Sequence, residues 1–420
     1  MSRHRLLAGA AVALGLLAPA AASAVTLDDA IALALAHDPG LKHAQAEREA
    51  AAARLQQARA GGLPSVEVSA SASEASTNFG HFFGYGERTL QPRQAEVSIT
   101  QPIYAGGAVQ AAVAEGKAGQ AQSAAVYEAA RLSLIADVAD AYAGVRAAEQ
   151  AVGLQQAEIE ELALVRSQAQ RRFDDGEISR TDVDQSQARL SAARADLARG
   201  QGDLADARER YRILVGEEPA GLEPPGEPPA TPQSLDDAVS AASAGNPGVA
   251  AAEDGLRAAE AAVRRAKAEG APTLALVAQA SSVRDQFFPG YQADGAAVGV
   301  AARWPLFTGG LVSGKVDEAQ AGVRAAEAAL DQARAASEEA AIDAWQARQT
   351  ADRVAEAADD QAKAAEGVLD SVRNEVRVGA RATLDLLDAE RDALAAKIGQ
   401  LDAQRARLVA AYRLKAVIGR

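Results

Sequence analysis

The chain has 420 residues, a formal net charge of −14, no cysteine, four histidines and 4% aromatic residues. That acidic balance excludes the basic footprint of a nucleic-acid binder, and the missing cysteine excludes disulfides, thiolate metal sites, thiol nucleophiles and a lipidated N-terminal cysteine. A chain so rich in alanine and so poor in aromatic bulk reads as long, closely packed helices, not as the core of a compact enzyme.

Residues 1–24 read as a secretory leader. Arg3 and Arg5 form a positive start, Leu6 to Leu17 is an apolar run too short to span a bilayer, and Ala22-Ser23-Ala24 supplies a cleavage site. The mature chain is expected to begin at Val25. No later stretch is apolar enough for a transmembrane helix.

A first repeat is expected over residues 25–215. It opens with a short helix at Leu27-Asp28-Asp29-Ala30 and a medium helix ending before Pro64. The period then changes. Val66, Val68, Ala70 and Ala72 alternate with Ser65, Glu67, Ser69, Ser71 and Ser73, predicting a two-faced strand over about 65–78. Ala95, Val97 and Ile99 predict its partner over about 93–102. The loop between them holds Phe79, Phe82, Phe83 and Tyr85. Aromatic residues at strand ends fit a membrane-interface girdle; an aromatic cluster closing a soluble hairpin is the alternative. Pro102, Gly106 and Gly107 then form a swivel, because proline ends a ladder and paired glycines permit a sharp change of direction. A helix over about 106–173 would be roughly 100 Å long at 1.5 Å per residue, which demands an elongated shaft. The next helix, about 180–215, carries Val183, Leu190, Leu197, Leu204 and Tyr211 at every seventh position, a coiled-coil ladder.

Residues 216–233 hold Pro219, Pro224, Pro225, Pro228, Pro229 and Pro232, a stiff linker. Beyond it the landmarks return in order over residues 234–420. Leu235-Asp236-Asp237-Ala238 repeats the opening, Asn246-Pro247-Gly248 answers Asp38-Pro39-Gly40, and Pro272 answers Pro64. Strands are expected at about 273–284 and 294–304, with Phe287, Phe288 and Tyr291 between them and Trp304 at the end. Pro305, Gly309 and Gly310 form the second swivel, and helices follow at about 308–377 and 382–418. Gly379 and Asp385 answer Gly176 and Asp182. Leu387, Leu394, Leu401 and Leu408 form another seven-residue ladder.

The run Gly309 to Lys315 nearly spells a phosphate-binding loop, but Val316 stands where the magnesium-binding hydroxyl is required. His37 and His43 flank Pro39 at a poor metal spacing. No catalytic residue, cofactor site or metal site is assigned, and the chain is not read as an enzyme.

The strand count points to assembly. Four strands cannot close a spanning barrel, and an open sheet cannot sit in lipid with unpaired edges. Three copies would supply a 12-stranded barrel, continued by their helices as a tube.

In this order the motifs resemble those of the TolC-type outer-membrane factors, the exit ducts of tripartite efflux pumps and type I secretion systems. The resemblance rests on the duplicated openings, on Gln101-Pro102 through Gly107, on Trp304-Pro305 through Gly310, and on the turns at Arg172–Val183 and Val378–Ala389. It implies a mainly α protomer with a small β part, whose long coiled-coil helices and four strands trimerise into an outer-membrane β-barrel and a periplasmic α-helical barrel. The linker would lie near the equatorial belt. The implied partners are two further copies, a periplasmic adaptor (membrane fusion) protein, an inner-membrane ABC or proton-driven transporter, and outer-membrane lipid, with no nucleic acid.

Carried over residue by residue, the resemblance makes Asp385 and Asp388 the rings of a periplasmic gate. Asp182 and Arg381 become its latch, and Gly176, Glu177, Gly379 and Ala380 the hairpin tips where an adaptor docks. The first tip, Asp174-Asp175-Gly176-Glu177, is more acidic than the family pattern. Its Arg172-Phe-x-x-Gly-Glu-x-x-Arg-Thr-Asp182 turn resembles the type I secretion branch. The alternative reading is a periplasmic adaptor-like coiled-coil protein with no channel of its own.

Overall fold

The structure is a computed structural model and describes residues 25–80 and 86–420. The expected leader and the loop aromatics Phe82, Phe83 and Tyr85 lie outside the described residues.

Both halves begin with a pair of helices: α1 (Leu27–His37) and α2 (Pro39–Ala60), then α5 (Leu235–Gly245) and α6 (Pro247–Ala268). Their boundaries are written in cap chemistry. Thr26 and Asp29 form a reciprocal capping box at the start of α1, and the Ser234 hydroxyl accepts from the Asp237 amide at the start of α5. Asp38 and Asn246 cap the second helices, whose first residues are Pro39 and Pro247. Proline is suited there, since a first-turn N–H has no helical partner anyway. The repeated Asp/Asn-Pro-Gly motif is therefore a helix-start device used twice.

Four strands form one antiparallel sheet in the order β1-β4-β5-β6: β1 (Ser65–Ala72), β4 (Arg93–Ala105), β5 (Thr273–Arg284) and β6 (Gln292–Arg303). A separate ladder pairs β2 (Ala75–Asn78) with β3 (Glu87–Leu90). The strand expected without a break over 65–78 is thus interrupted at Ser73-Glu74. Across from it stand Gln91 and Pro92, and Pro92 has no N–H to continue the ladder, although its carbonyl still accepts from the Ser73 amide. The register joins the alternating faces. Val66 lies opposite Ile99, Ile99 opposite Ala278, and Ala278 opposite Val298; Val68, Val97, Ala280 and Ala296 form the next row. One face of the sheet is therefore continuous in apolar residues, and it is exposed, with Val68 at 71% and Val298 at 76%. Strands β1 and β6 are the outer edges.

Two hairpins of long helices make up the body. The first is α3 (Ala108–Asp174) with α4 (Arg180–Val215), the second α7 (Leu311–Arg377) with α8 (Thr383–Val417). At 67 residues each, α3 and α7 extend about 100 Å. Both begin after a glycine pair with positive φ: Gly106 and Gly107 at 64° and 89°, Gly309 and Gly310 at 62° and 89°. An L-residue resists this conformation, and a Cβ on Gly106 would also meet Ala271. The helix starts expected at 106 and 308 are displaced to 108 and 311, because the glycines form the bend and not the first turn.

The two halves are tied at mid-height. The Tyr142 hydroxyl lies 2.8 Å from the Val25 carbonyl and 2.7 Å from that of Glu223, and Arg146 donates to the Leu222 carbonyl. Val25 also bridges to Leu222. The linker is thereby strapped across α3, over a core containing Val138, Tyr142, Tyr211 and Leu408. Beside it the buried Asp140 receives Arg405 from α8 at 2.7 Å and Arg210 from α4 at 3.1 Å. Among the described residues no helix is long and apolar enough to cross a membrane.

Candidate functional site

The helical tips carry most of the sequence-predicted site residues, and both are built alike. Helix α3 ends with the Gly176 amide on the Phe173 carbonyl and the Glu177 amide on the Arg172 carbonyl. Helix α7 ends with Gly379 on Val376 and Ala380 on Glu375. This doubled reverse bond needs a left-handed residue, and Gly176 and Gly379 supply it at φ 79° and 77°.

The helices that follow differ. Ser179 caps α4, and Asp182 closes the box by accepting from the Ser179 amide at 3.0 Å and its hydroxyl at 2.8 Å. The corresponding cap of α8 is Ala382, whose methyl group can make no hydrogen bond. Asp385, in the place of Asp182, is left exposed with no side-chain hydrogen bond or ion pair among the described residues. One missing hydroxyl thus separates a structural aspartate from an available one.

Asp388 has a partner that the sequence reading did not include. Arg189 on α4 reaches it across the gap between hairpins. Arg381 pairs with Glu375 on its own hairpin at 2.9 Å. Within one chain, Arg381 and Asp182 are therefore not brought together; each is engaged locally.

The first turns of α8 distribute their side chains among three environments. Leu386 and Ala389 pack on Val372 of α7. Leu387 instead joins Leu162 and Val165 of α3 and Leu190 and Ala193 of α4. Glu390 is buried near Glu161 of α3 and Arg373 of α7. Arg373 is committed to Glu161 at 3.0 Å and stands 3.7 Å from Glu390, whose two oxygens have no hydrogen-bond partner among the described residues. Burial, with the Glu161 charge second, pushes the Glu390 carboxyl up to about 7.

At the opposite end of the molecule, Phe287 and Phe288 each meet Tyr291 edge-on, at centroid distances of 5.0 and 5.3 Å, in the turn between β5 and β6. The other end of these strands exposes Trp304, and beside it Leu306 and Phe307, the latter 90% exposed. Leu306 and Phe307 follow Pro305 and break the strand alternation, so periodicity did not single them out. Pro102 lies inside β4, where the pairing with β5 slips between Pro102 and Tyr104; Pro305 lies just beyond β6. Lys315, the lysine of the near phosphate loop, is bound to Glu269 at 2.6 Å.

A long double-hairpin body ending in an open, two-faced sheet defines a class, that of the outer-membrane ducts. The family profile described as "Outer membrane efflux protein" matches residues 30–217 and 238–420, and the chain belongs to that family. Its location is the outer membrane, with the helical body in the periplasm. The outer membrane efflux protein BepC of Brucella suis is 31% identical over 254 residues, 60% of this chain and 56% of BepC. Protein CyaE of Bordetella pertussis is 32% identical over 323 residues, 74% of this chain and 67% of CyaE. The outer membrane protein VceC of Vibrio cholerae shares the fold, with a TM-score of 0.78 at 22% identity, covering 94% of this chain and 96% of VceC.

Proposed function

We propose that three copies of this chain close their sheets into one 12-stranded barrel in the outer membrane, continued in the periplasm by an α-helical barrel. The assembly is the exit duct of a tripartite efflux pump or type I secretion system. The observation that carries this reading is the sheet. Its apolar face is exposed, and its edges β1 and β6 are unpaired within the chain. Lipid suits the face but not the edges, whose amides need partners. Pairing β6 of one copy with β1 of the next satisfies both.

In this reading residues 1–24 are a cleaved leader, and residues 25–215 and 234–420 are two repeats joined by the strapped linker at the equatorial belt. Trp304 lies at one membrane interface, with Phe287, Phe288, Tyr291 and the loop residues Phe82, Phe83 and Tyr85 at the other. Asp385 and Asp388 form acidic rings at the periplasmic entrance, where like charges select against anions. Arg381 and Asp182 meet between neighbouring subunits as a latch. The tips at Gly176, Glu177, Gly379 and Ala380 receive an adaptor, and an inner-membrane transporter supplies the energy. Pro102, Gly106, Gly107, Pro305, Gly309 and Gly310 turn each strand into its helix.

The test is purification from the outer-membrane fraction in detergent. A trimer by light scattering that yields single-channel currents in planar bilayers supports the reading. A monomer that stays soluble without detergent overturns it.

A further inference from the structure

The seam between the two hairpins contains a feature that neither the gate nor the docking tips explain. A cavity of about 170 Å³ lies between α3, α7 and α8, lined by Glu158, Glu161, Arg373, Glu390 and Lys397. Lys397 is held by Glu366 at 2.9 Å, and Arg373 by Glu161. From α4, Asp196 adds its negative charge beside Glu158, while Arg189 is taken by Asp388. The cavity wall itself therefore gathers three carboxylates, Glu158, Glu161 and Glu390, around the Arg373 guanidinium. Glu390 is the member with no hydrogen bond and only 6% of its side chain exposed. A charge in that position has lost water and gains only the Arg373 guanidinium at 3.7 Å, which is already committed to Glu161, so ionisation is costly unless a proton neutralises it.

We propose that Glu390 is a proton-operated pin in the seam: protonated, it seats α8 against α3; ionised, it loosens that contact, so the entrance relaxes as pH rises towards neutrality. Its bearing on an entrance rests on the function proposed above; its effect on the seam does not.

The direction follows from linkage. The seated carboxyl keeps its proton up to about 7, whereas one released to water ionises near 4.5. The closed seam is therefore tightest below the lower value, weakens as pH rises through the interval, and levels off above it. A displacement of this size changes the closed-to-open ratio about three-hundredfold. Leu387, seated on α3 and α4 about one turn into α8, moves with that helix and carries the change to Asp385 and Asp388.

The absence of cysteine makes the test clean. Gln156→Cys on α3 and Ala395→Cys on α8 are exposed and outside the cavity lining, and can carry spin labels on the full chain in detergent, diluted with unlabelled protein. The expected result is a narrow distance distribution at pH 5 that lengthens or broadens by pH 8. Glu390→Gln, neutral at every pH, should stay narrow at both. Glu161→Gln removes a neighbouring charge from a partly exposed site and should move the midpoint to lower pH, which decides the matter if the Glu390 variant does not fold. A parent distribution unchanged between pH 5 and 8, a Glu390→Gln protein that responds like the parent, or an unmoved midpoint in Glu161→Gln would each overturn the proposal. These distances need no bilayer current. A chain that forms no pore would sink the channel reading alone, and a conducting trimer with a pH-silent seam would sink the pin alone.

Discussion

Arg189 places its Nη2 2.6 Å from Oδ1 of Asp388, joining α4 of the first hairpin to α8 of the second. Both side chains remain partly exposed, so the pair contributes about 1 kcal/mol or less to stability. Its larger effect is on charge. With Arg189 in place, Asp388 is neutralised by its own chain, so if these tips form the proposed entrance, Asp385 is the ring residue whose charge is left unbalanced. Arg189→Ala is expected to strengthen cation preference and raise single-channel conductance, with little change in melting temperature. An unmoved reversal potential under a salt gradient would refute this.

The cap asymmetry makes an opposite prediction. Ala382→Ser restores the hydroxyl that Ser179 provides at the first tip. Asp385 should then fold back into a capping box, stabilising the start of α8 by about 1 kcal/mol and withdrawing its charge from the entrance. Slower amide exchange over Thr383–Asp385, together with weaker cation preference, is the expected outcome. Ser179→Ala should free the first tip by a similar amount.

The latch can be separated from the local pair. Arg381 is bound to Glu375 within the chain, so Arg381→Ala breaks two relationships if a latch to Asp182 exists between subunits. Glu375→Gln breaks only the local one. Conductance raised by Arg381→Ala and not by Glu375→Gln would support the latch, and equal effects would remove it.

At mid-height, Tyr142→Phe removes the hydroxyl that lies within hydrogen-bond distance of the Val25 and Glu223 carbonyls; the Val25 carbonyl keeps the Glu223 amide as a donor, so the loss is about 0.5–1.5 kcal/mol. The strap should loosen, read as faster amide exchange around Leu222 and Glu223. Burial pushes the hydroxyl up to about 12, so it keeps its proton and the strap survives alkaline conditions to about pH 11.

On the sheet, Val298→Arg places a charge in the exposed apolar face. If that face meets lipid, the cost is about 2–4 kcal/mol near the bilayer centre, and the protein should be depleted from the outer-membrane fraction. Ala297→Arg, on the other face of β6, should be tolerated. Equal behaviour of the two would contradict the assignment of faces.

Much of this was legible in one sequence, because its signals are local. Alternation in β1 and β6 reports two faces, paired Asp/Asn-Pro motifs report helix starts, and Gly-Gly reports a bend; each depends on neighbours in the chain. The sequence by itself therefore determined the duplicated order of elements and which side of each strand is apolar. Only the tertiary structure decided who partners whom. Asp182 and Asp385 occupy equivalent places, yet a hydroxyl three residues upstream engages one and its absence frees the other. Arg189 meets Asp388, and Glu390 is stranded between Glu161 and Arg373, because hairpins far apart in the chain lie side by side. Electrostatics and burial act through space, and the spacing of residues along one chain does not record it.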